Sequence, residues 1–583
     1  MRRMVRTMLG ATAGLLLAAN TGPTPADLIL RNAAIWTVDP ARPTAKAVAI
    51  AGEHIVAVGA EDDIERHHGA NTRVIDLRGA MLLPGFTDAH THFGNAVDAF
   101  FTARVVDIGT DAALAERLRA AAARIPKGFW ITAFDLQAFA AGAAAKRRDT
   151  AFTPFTPSLA ALDAATPDHP VLIRGHDGRA FVNSLALRLA RIERNTPNPL
   201  NGEYVHDRSG ALTGELRGSA ATRMAATLPP PTRARALIAA RVLIRTLNAQ
   251  GITGIHDIAR IDALSQERTP SVDVERSYTN LDLFRDLQKS GDLDVRVDAL
   301  LPLAGWRDYA RLGIRPGTRE GRIRFGTLKA FMDASYMSAP FANAPNWRGG
   351  LSYRVDDPSR LRADVIGADA AGFDIAIHVM GDAGHAIVLD DYAAAIAVNP
   401  PRERRFRLIH MWYPSAAQIA RAGAMRLIAD ITPSQLTEQL GSIDAALGPA
   451  RAASAFPWAS AAAAGMTIDI GSDWPGSFDG ISVSPNNPLE NIFYAVTRRH
   501  IGDKTAGWHT REALTIDQAI AAYTANPAWA ARENGERGTV SPGNIADLVV
   551  LSQDIRKIPP ERIPDTRVLM TLVGGRVVYR FDP

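Results

Sequence analysis

Short apolar runs recur along the chain, each followed by an Ala-rich stretch with a helical pattern. The runs GITGIHD, IRFGTLKAFMD, FDIAIHVMGD, RFRLIHM, AMRLIADI and MTIDIGSD have the length and β-branched content of buried strands. Strand followed by helix, repeated, predicts parallel βα units. The segment DAALAERLRAAAARI predicts one of the helices. Leu114, Leu118 and Ile125 fall on one face, and Thr110 or Asp111 can cap its start. No fixed-period repeat of the solenoid kind is present.

The two ends of the chain have a different texture. Residues 27–80 carry DLILRNAAIWTVD, KAVAIAGEHIVAVG and TRVIDLRGAMLLPG, short strands joined by turns. The last forty residues repeat this texture in ADLVVLSQD and VLMTLVGGRVVYR, where Gly574-Gly575 marks a hairpin. A composite β-domain from residues 27–83 and 530–583, around a central body at 84–529, is therefore expected. Residues 95–250 exceed one βα unit and predict an insertion. Its Gly/Asn/Asp-rich part, RNTPNPLNGEYVHDRSGALTGE, reads as extended loops or a β-excursion.

Length and composition narrow the class. A chain of 583 residues with 47% hydrophobic and 22% charged positions can bury a large core. The first residues, MRRMVRTMLGATAGLLLAAN, join a basic start to an apolar stretch too short to span a bilayer comfortably. That pattern predicts a signal peptide within residues 1–26, and a periplasmic or secreted mature protein. A mis-assigned start or a retained anchor are the alternatives, and no other stable membrane anchor is expected. The formal charge of +4 includes Arg2, Arg3 and Arg6, so the remainder is near neutral and gives no electrostatic reason to bind nucleic acid. The absence of cysteine excludes thiolate-ligated zinc and a cysteine nucleophile.

The sharpest chemical feature is PGFTDAHTHF at residues 84–93. His90 and His92 are two apart after an apolar run, so on a strand they point to one side and can grip one metal ion. Taken alone the pair is a weak signal. Lys329, His378, His410 and Asp473 add weight, because each lies at or near the end of a strand-like run. In a barrel all strand C-terminal ends meet on one face. Singly each has a bland reading: a core histidine, a surface lysine, or an N-cap aspartate.

These segments, with LKAFMDASYMSAP, IHVMGDAG, GSDWP, NPLENIFYAVTR, LTIDQAIAAYTANPAWA and GTVSPGNIADLVVLSQD, resemble the amidohydrolase superfamily, and more closely its amidohydrolase-3 branch, which includes N-substituted formamide deformylase-like enzymes. The resemblance covers nearly all of the chain after residue 26. It implies an α/β fold, a (β/α)8 TIM-type barrel, beside the composite β-domain. It places His90 and His92 on the first barrel strand, Lys329 on the fourth, His378 on the fifth, His410 on the sixth and Asp473 on the eighth. It also implies one or two divalent metals, zinc the expected ion, with Lys329 carboxylated where two metals bind. A carbamate offers two anionic oxygens, whereas an ammonium repels cations. The run MDASYMSAP departs from the branch pattern and puts the substrate contacts in question. Glu215 matches a branch glutamate, as a metal ligand, a bridge or a loop ion pair. His256 and Asp257 are candidates for orienting ligands, Gly381 and Asp382 for a loop near the metal, and Arg451 and Trp474 for substrate contact.

The expected function is hydrolysis of an amide or other non-peptide C–N bond in a small molecule by metal-activated water, with Asp473 as general base and then acid. A metal-dependent isomerase or decarboxylase on the same barrel, and a non-catalytic periplasmic binding protein, are the competing readings. Homo-oligomerisation is left open.

Overall fold

The computed structural model describes residues 24–105, 108–136, 155–175, 179–229, 232–259, 278–333, 358–440, 443–475 and 486–582. The expected signal peptide falls almost wholly outside the described residues. So do residues 335–350 and part of the insertion.

Eight parallel strands run through one sheet in chain order: β1 Phe86–Thr91, β2 Ile252–Ile258, β3 Arg296–Pro302, β4 Ile323–Phe331, β5 Asp374–Val379, β6 Arg407–His410, β7 Ile428–Ile431 and β8 Thr467–Ile470, and a short ninth strand, Thr318–Glu320, pairs antiparallel with β4. Six of them coincide with the apolar runs, and β1 carries the His-x-His segment. Helices follow the strands, as in Asn280–Ser290 after β2, Asp382–Val398 after β5 and Ala416–Ala424 after β6. The sheet is nearly closed. Just past β8, Asp473 N donates to His90 O at 2.8 Å, and His92 N donates to Trp474 O at 2.8 Å. Gly471 permits this approach, because a Cβ there would lie 2.2 Å from His90 Cβ.

Strand β3 was not among the apolar runs. It carries Arg296 and Asp298, both buried, and their charges break the hydrophobic pattern. Arg296 Nε donates to Asp547 at 2.7 Å, and Asp298 lies 3.5 Å from Arg407. Interior partners replace the apolar contacts that sequence pattern looks for.

The chain ends share a six-stranded sheet. Its order is Arg576–Arg580, Val568–Val573, Leu548–Leu551, Met81–Pro84, Ala34–Trp36 and Thr44–Ala45. The Gly574-Gly575 hairpin is present, with Met570 opposite Arg580. A second, four-stranded sheet uses the N-terminal segment alone, and a short helix, Glu61–Glu65, packs beside it. The insertion builds a further six-stranded sheet, in which Gly202–His206 and Leu212–Gly218 form an antiparallel pair. The helix Asp111–Arg124 begins as expected, with the Thr110 side chain accepting from Ala113 N. Among the described residues no helix is long and apolar enough to cross a membrane.

Candidate metal centre

The site is built where β1 and β8 meet. His90 and His92 leave β1 on one side, and their Nε2 atoms lie 3.2 and 3.1 Å from the same oxygen, Asp473 Oδ1. Among the described residues these three form a compact donor group, with ligand atoms all within 4.8 Å of one another. Asp473 sits at φ 58° and His410 at φ 71°, conformations unusual for residues with side chains. Such backbone strain clusters where function requires a fixed side chain.

The other predicted residues close around this group. The His410 ring is 5.2 Å from that of His90 and 4.6 Å from that of His378. Lys329, on β4, is buried with its Nζ 4.5 Å from the Phe331 ring centre. Burial first, and the Lys329 ammonium second, push His90 down to about 4. Burial drives His410 well below the usual imidazole range too. Burial alone would raise Asp473, but the close approach of the His90 and His92 nitrogens outweighs it and holds the carboxyl well below its ordinary value. Neutral imidazoles and an ionised carboxylate are the protonation states that a cation needs from its ligands. Both ring nitrogens of His90 are buried, and neither makes a well-aligned hydrogen bond: Nε2 has the 3.2 Å approach to Asp473 and Nδ1 the 3.8 Å approach to Asp430, so the donor set suits a cation.

Carboxylates that sequence reasoning passed over hold this arrangement. Asp88 accepts from Ser472 N at 2.8 Å, Ser472 Oγ at 2.6 Å and His90 N at 3.2 Å, tying β1 to the end of β8. Burial raises Asp88 to about 7. Asp333 accepts from Met380 N and Gly381 N at 3.0 and 2.9 Å and lies 3.6 Å from His378 Nε2, so it fixes the loop after β5. Asp430, fully buried on β7, faces His90 Nδ1 at 3.8 Å. Gln435 donates to Asp473 Oδ2 at 2.7 Å. Asp88 and Asp333 could have been suspected from their places in TDAHTH and KAFMD. Nothing local marks Asp430 or Gln435.

Below the site, inside the sheet, Arg407 is completely buried. It donates to His256 Nδ1 at 2.8 Å and lies 3.5 Å from Asp298 and 4.0 Å from Asp469. A guanidinium only donates, so His256 Nδ1 is the acceptor and the ring is neutral. His256 is thus part of this interior ion cluster. Asp257 points elsewhere, accepting from Phe93 N at 2.6 Å and Asn280 Nδ2 at 3.0 Å, and it secures the chain just after His92.

The remaining candidates are not members of this three-residue donor group. Glu215 is buried in the insertion sheet, 2.8 Å from Arg217 Nε and 3.8 Å from Arg179 NH1, which is the ion-pair arrangement. Arg451 is half-buried in the short helix Pro449–Ala452. Trp474 is half-buried beside Asp473, its ring 6.4 Å from that of Phe93.

The model of the amidohydrolase family matches residues 73–579. The chain belongs to that family and is a hydrolase. It is 28% identical over 589 residues to N-substituted formamide deformylase of Arthrobacter pascens, covering 95% of this chain and 98% of that protein. It is 27% identical over 567 residues to Protein LONG AFTER FAR-RED 3 of Arabidopsis thaliana, covering 95% and 92% respectively. In fold it is similar to the crystal structure of an uncharacterized metal-dependent hydrolase from Pyrococcus horikoshii OT3. That match has a TM-score of 0.63 and 18% identity, over 91% of this chain and 99% of the other.

Proposed function

We propose that this protein hydrolyses an amide or other non-peptide C–N bond of a small molecule on a (β/α)8 barrel, using one or two divalent cations, zinc the expected ion. His90, His92, Lys329, His378, His410 and Asp473 would hold the metal. The observation that carries the reading is the convergence of two imidazole nitrogens on one carboxylate oxygen, at 3.2 and 3.1 Å, at the C-terminal end of a parallel sheet. A bound divalent cation supplies Lewis acidity there, polarising a carbonyl and acidifying water. Asp473 accepts the proton of the attacking water and returns it to the leaving nitrogen. Trp474, beside it, walls the substrate side, and Arg451 is a candidate for a polar substrate group. A carbamate on Lys329 would turn a repelling ammonium into an anionic ligand. The formamide deformylase relative supports a formyl or similarly small acyl group on nitrogen.

In the same reading, residues 1–26 are an export signal and the mature protein is periplasmic or secreted. The chain then divides at 27–83, 84–529 and 530–583, the first and last forming the β-domain.

The test is metal analysis of the purified chain, followed by turnover of N-substituted formamides in water labelled with heavy oxygen. Bound zinc, and solvent oxygen in the acid product, are expected. A product without solvent oxygen would move the enzyme to isomerisation or decarboxylation. Failure to take up any divalent metal would sink the reading.

A further inference from the structure

Asp473 divides its two oxygens between different partners. Oδ1 meets His90 and His92, while Oδ2 accepts from Gln435 Nε2 at 2.7 Å. A terminal carboxylate torsion is broad and roughly two-fold, so nothing intrinsic holds one oxygen inward. Gln435 is itself oriented. Trp412 Nε1 donates to Gln435 Oε1 at 3.2 Å, and an indole N–H only donates, so it selects the amide oxygen and leaves the NH2 group for Asp473. Trp412 and Gln435 are both buried. The backbone supports the placement. Gln435 lies in the first turn of the helix Pro433–Gln439, whose Ser434 N donates to Asn491 Oδ1 at 3.1 Å. Just before it, Thr432 Oγ1 is 3.3 Å from His410 Nδ1. The end of β7 thus reaches side chains at the ends of β6 and β8 together.

We propose that Gln435, set by Trp412, is the positioning residue that keeps one Asp473 oxygen turned toward the cation. The proposal rests on the metal-centre reading above. The probe is zinc alone, titrated into the full chain stripped of metal, in competition with a chromophoric chelator. Circular dichroism and the Tm of the stripped protein control for folding. Gln435→Leu should weaken zinc binding by about 10- to 100-fold, the range for outer partners of metal ligands. Trp412→Phe should weaken it by less, because the amide remains but loses its fixed orientation. In the Gln435→Leu background, Trp412→Phe should change zinc affinity no further, since a relay is broken only once. If Gln435→Leu does not fold, Gln435→Glu replaces it. That variant keeps the size, sets an acceptor against Oδ2, and should weaken zinc binding as well. Wild-type zinc affinity in the folded Gln435 variant, or additive losses in the double variant, overturns the proposal. A wild-type chain that takes up no zinc overturns both this proposal and the metal centre beneath it.

Discussion

Gly471→Ala adds a single methyl group where β8 passes β1. The new Cβ would stand 2.2 Å from His90 Cβ, 2.6 Å from His90 N and 2.9 Å from His90 Cα. These are backbone-bound atoms that cannot swing aside. Ordinary contact begins near 3.4 Å, so the strands must separate by 3.4 − 2.2 = 1.2 Å or more. The bond from Asp473 N to His90 O, now 2.8 Å, would stretch to about 4.0 Å and break. Overpacking of this kind costs about 1–3 kcal/mol, and the lost bond adds about 1 kcal/mol. The sum, about 2–4 kcal/mol, lowers the Tm by roughly 4–8 °C at ~2 °C per kcal/mol for a large chain. The same movement separates His90 from Asp473, so zinc affinity should fall by at least ~10-fold. Scanning calorimetry and zinc titration of Gly471→Ala measure both effects. Gly109→Ala, where a Cβ meets nothing within 4 Å, is the matched control. If Gly471→Ala melts and binds zinc like the control, the two strands are not in the contact described and the argument fails.

Other outcomes follow from the same geometry. Asp473→Asn, assayed at saturating zinc, should turn over at least ~100-fold more slowly, the lower end of what general acid–base catalysis supplies; near-normal turnover would send the search for the base elsewhere. His385 is fully buried, with Nδ1 2.8 Å from Gly381 O, and burial lowers its pKa from 6.5 to about 4. The unfolded chain therefore takes up the proton first. The contribution is complete above 6.5 and is lost as pH falls toward 4, an effect of about 3 kcal/mol. Denaturant midpoints of wild type and His385→Gln should converge by that amount between pH 7 and 4, and parallel curves would refute the assignment. Asp547→Ala strands the buried Arg296, whose Nε is 2.7 Å from the carboxylate, while Glu53 at 3.5 Å is half-exposed and compensates in part. A loss of about 3–5 kcal/mol in urea unfolding is expected, and a loss under 1 kcal/mol would show that Glu53 replaces Asp547.

The chain alone determined the strands marked by short apolar runs, because period and length are local properties. The same holds for the His90 and His92 pair, which needs only the two-residue alternation of a strand. Lys329, His378, His410 and Asp473 were legible as strand-end residues, but their meeting depends on strand order and near-closure. Gly471 decides that closure by what it lacks. Strand β3 escaped pattern reading because Arg296 and Asp298 are buried charges, and a buried charge looks like a surface residue until its partner is known. Arg407, Asp469 and Asp430 escaped for the same reason, since their partners lie on other strands, far away in sequence. Glu215 shows the converse, a residue with metal-ligand chemistry that the insertion sheet sets beside two arginines. Residue type and local spacing are written along the chain, whereas which buried charges face each other is decided only when strands hundreds of residues apart are brought within a few ångströms.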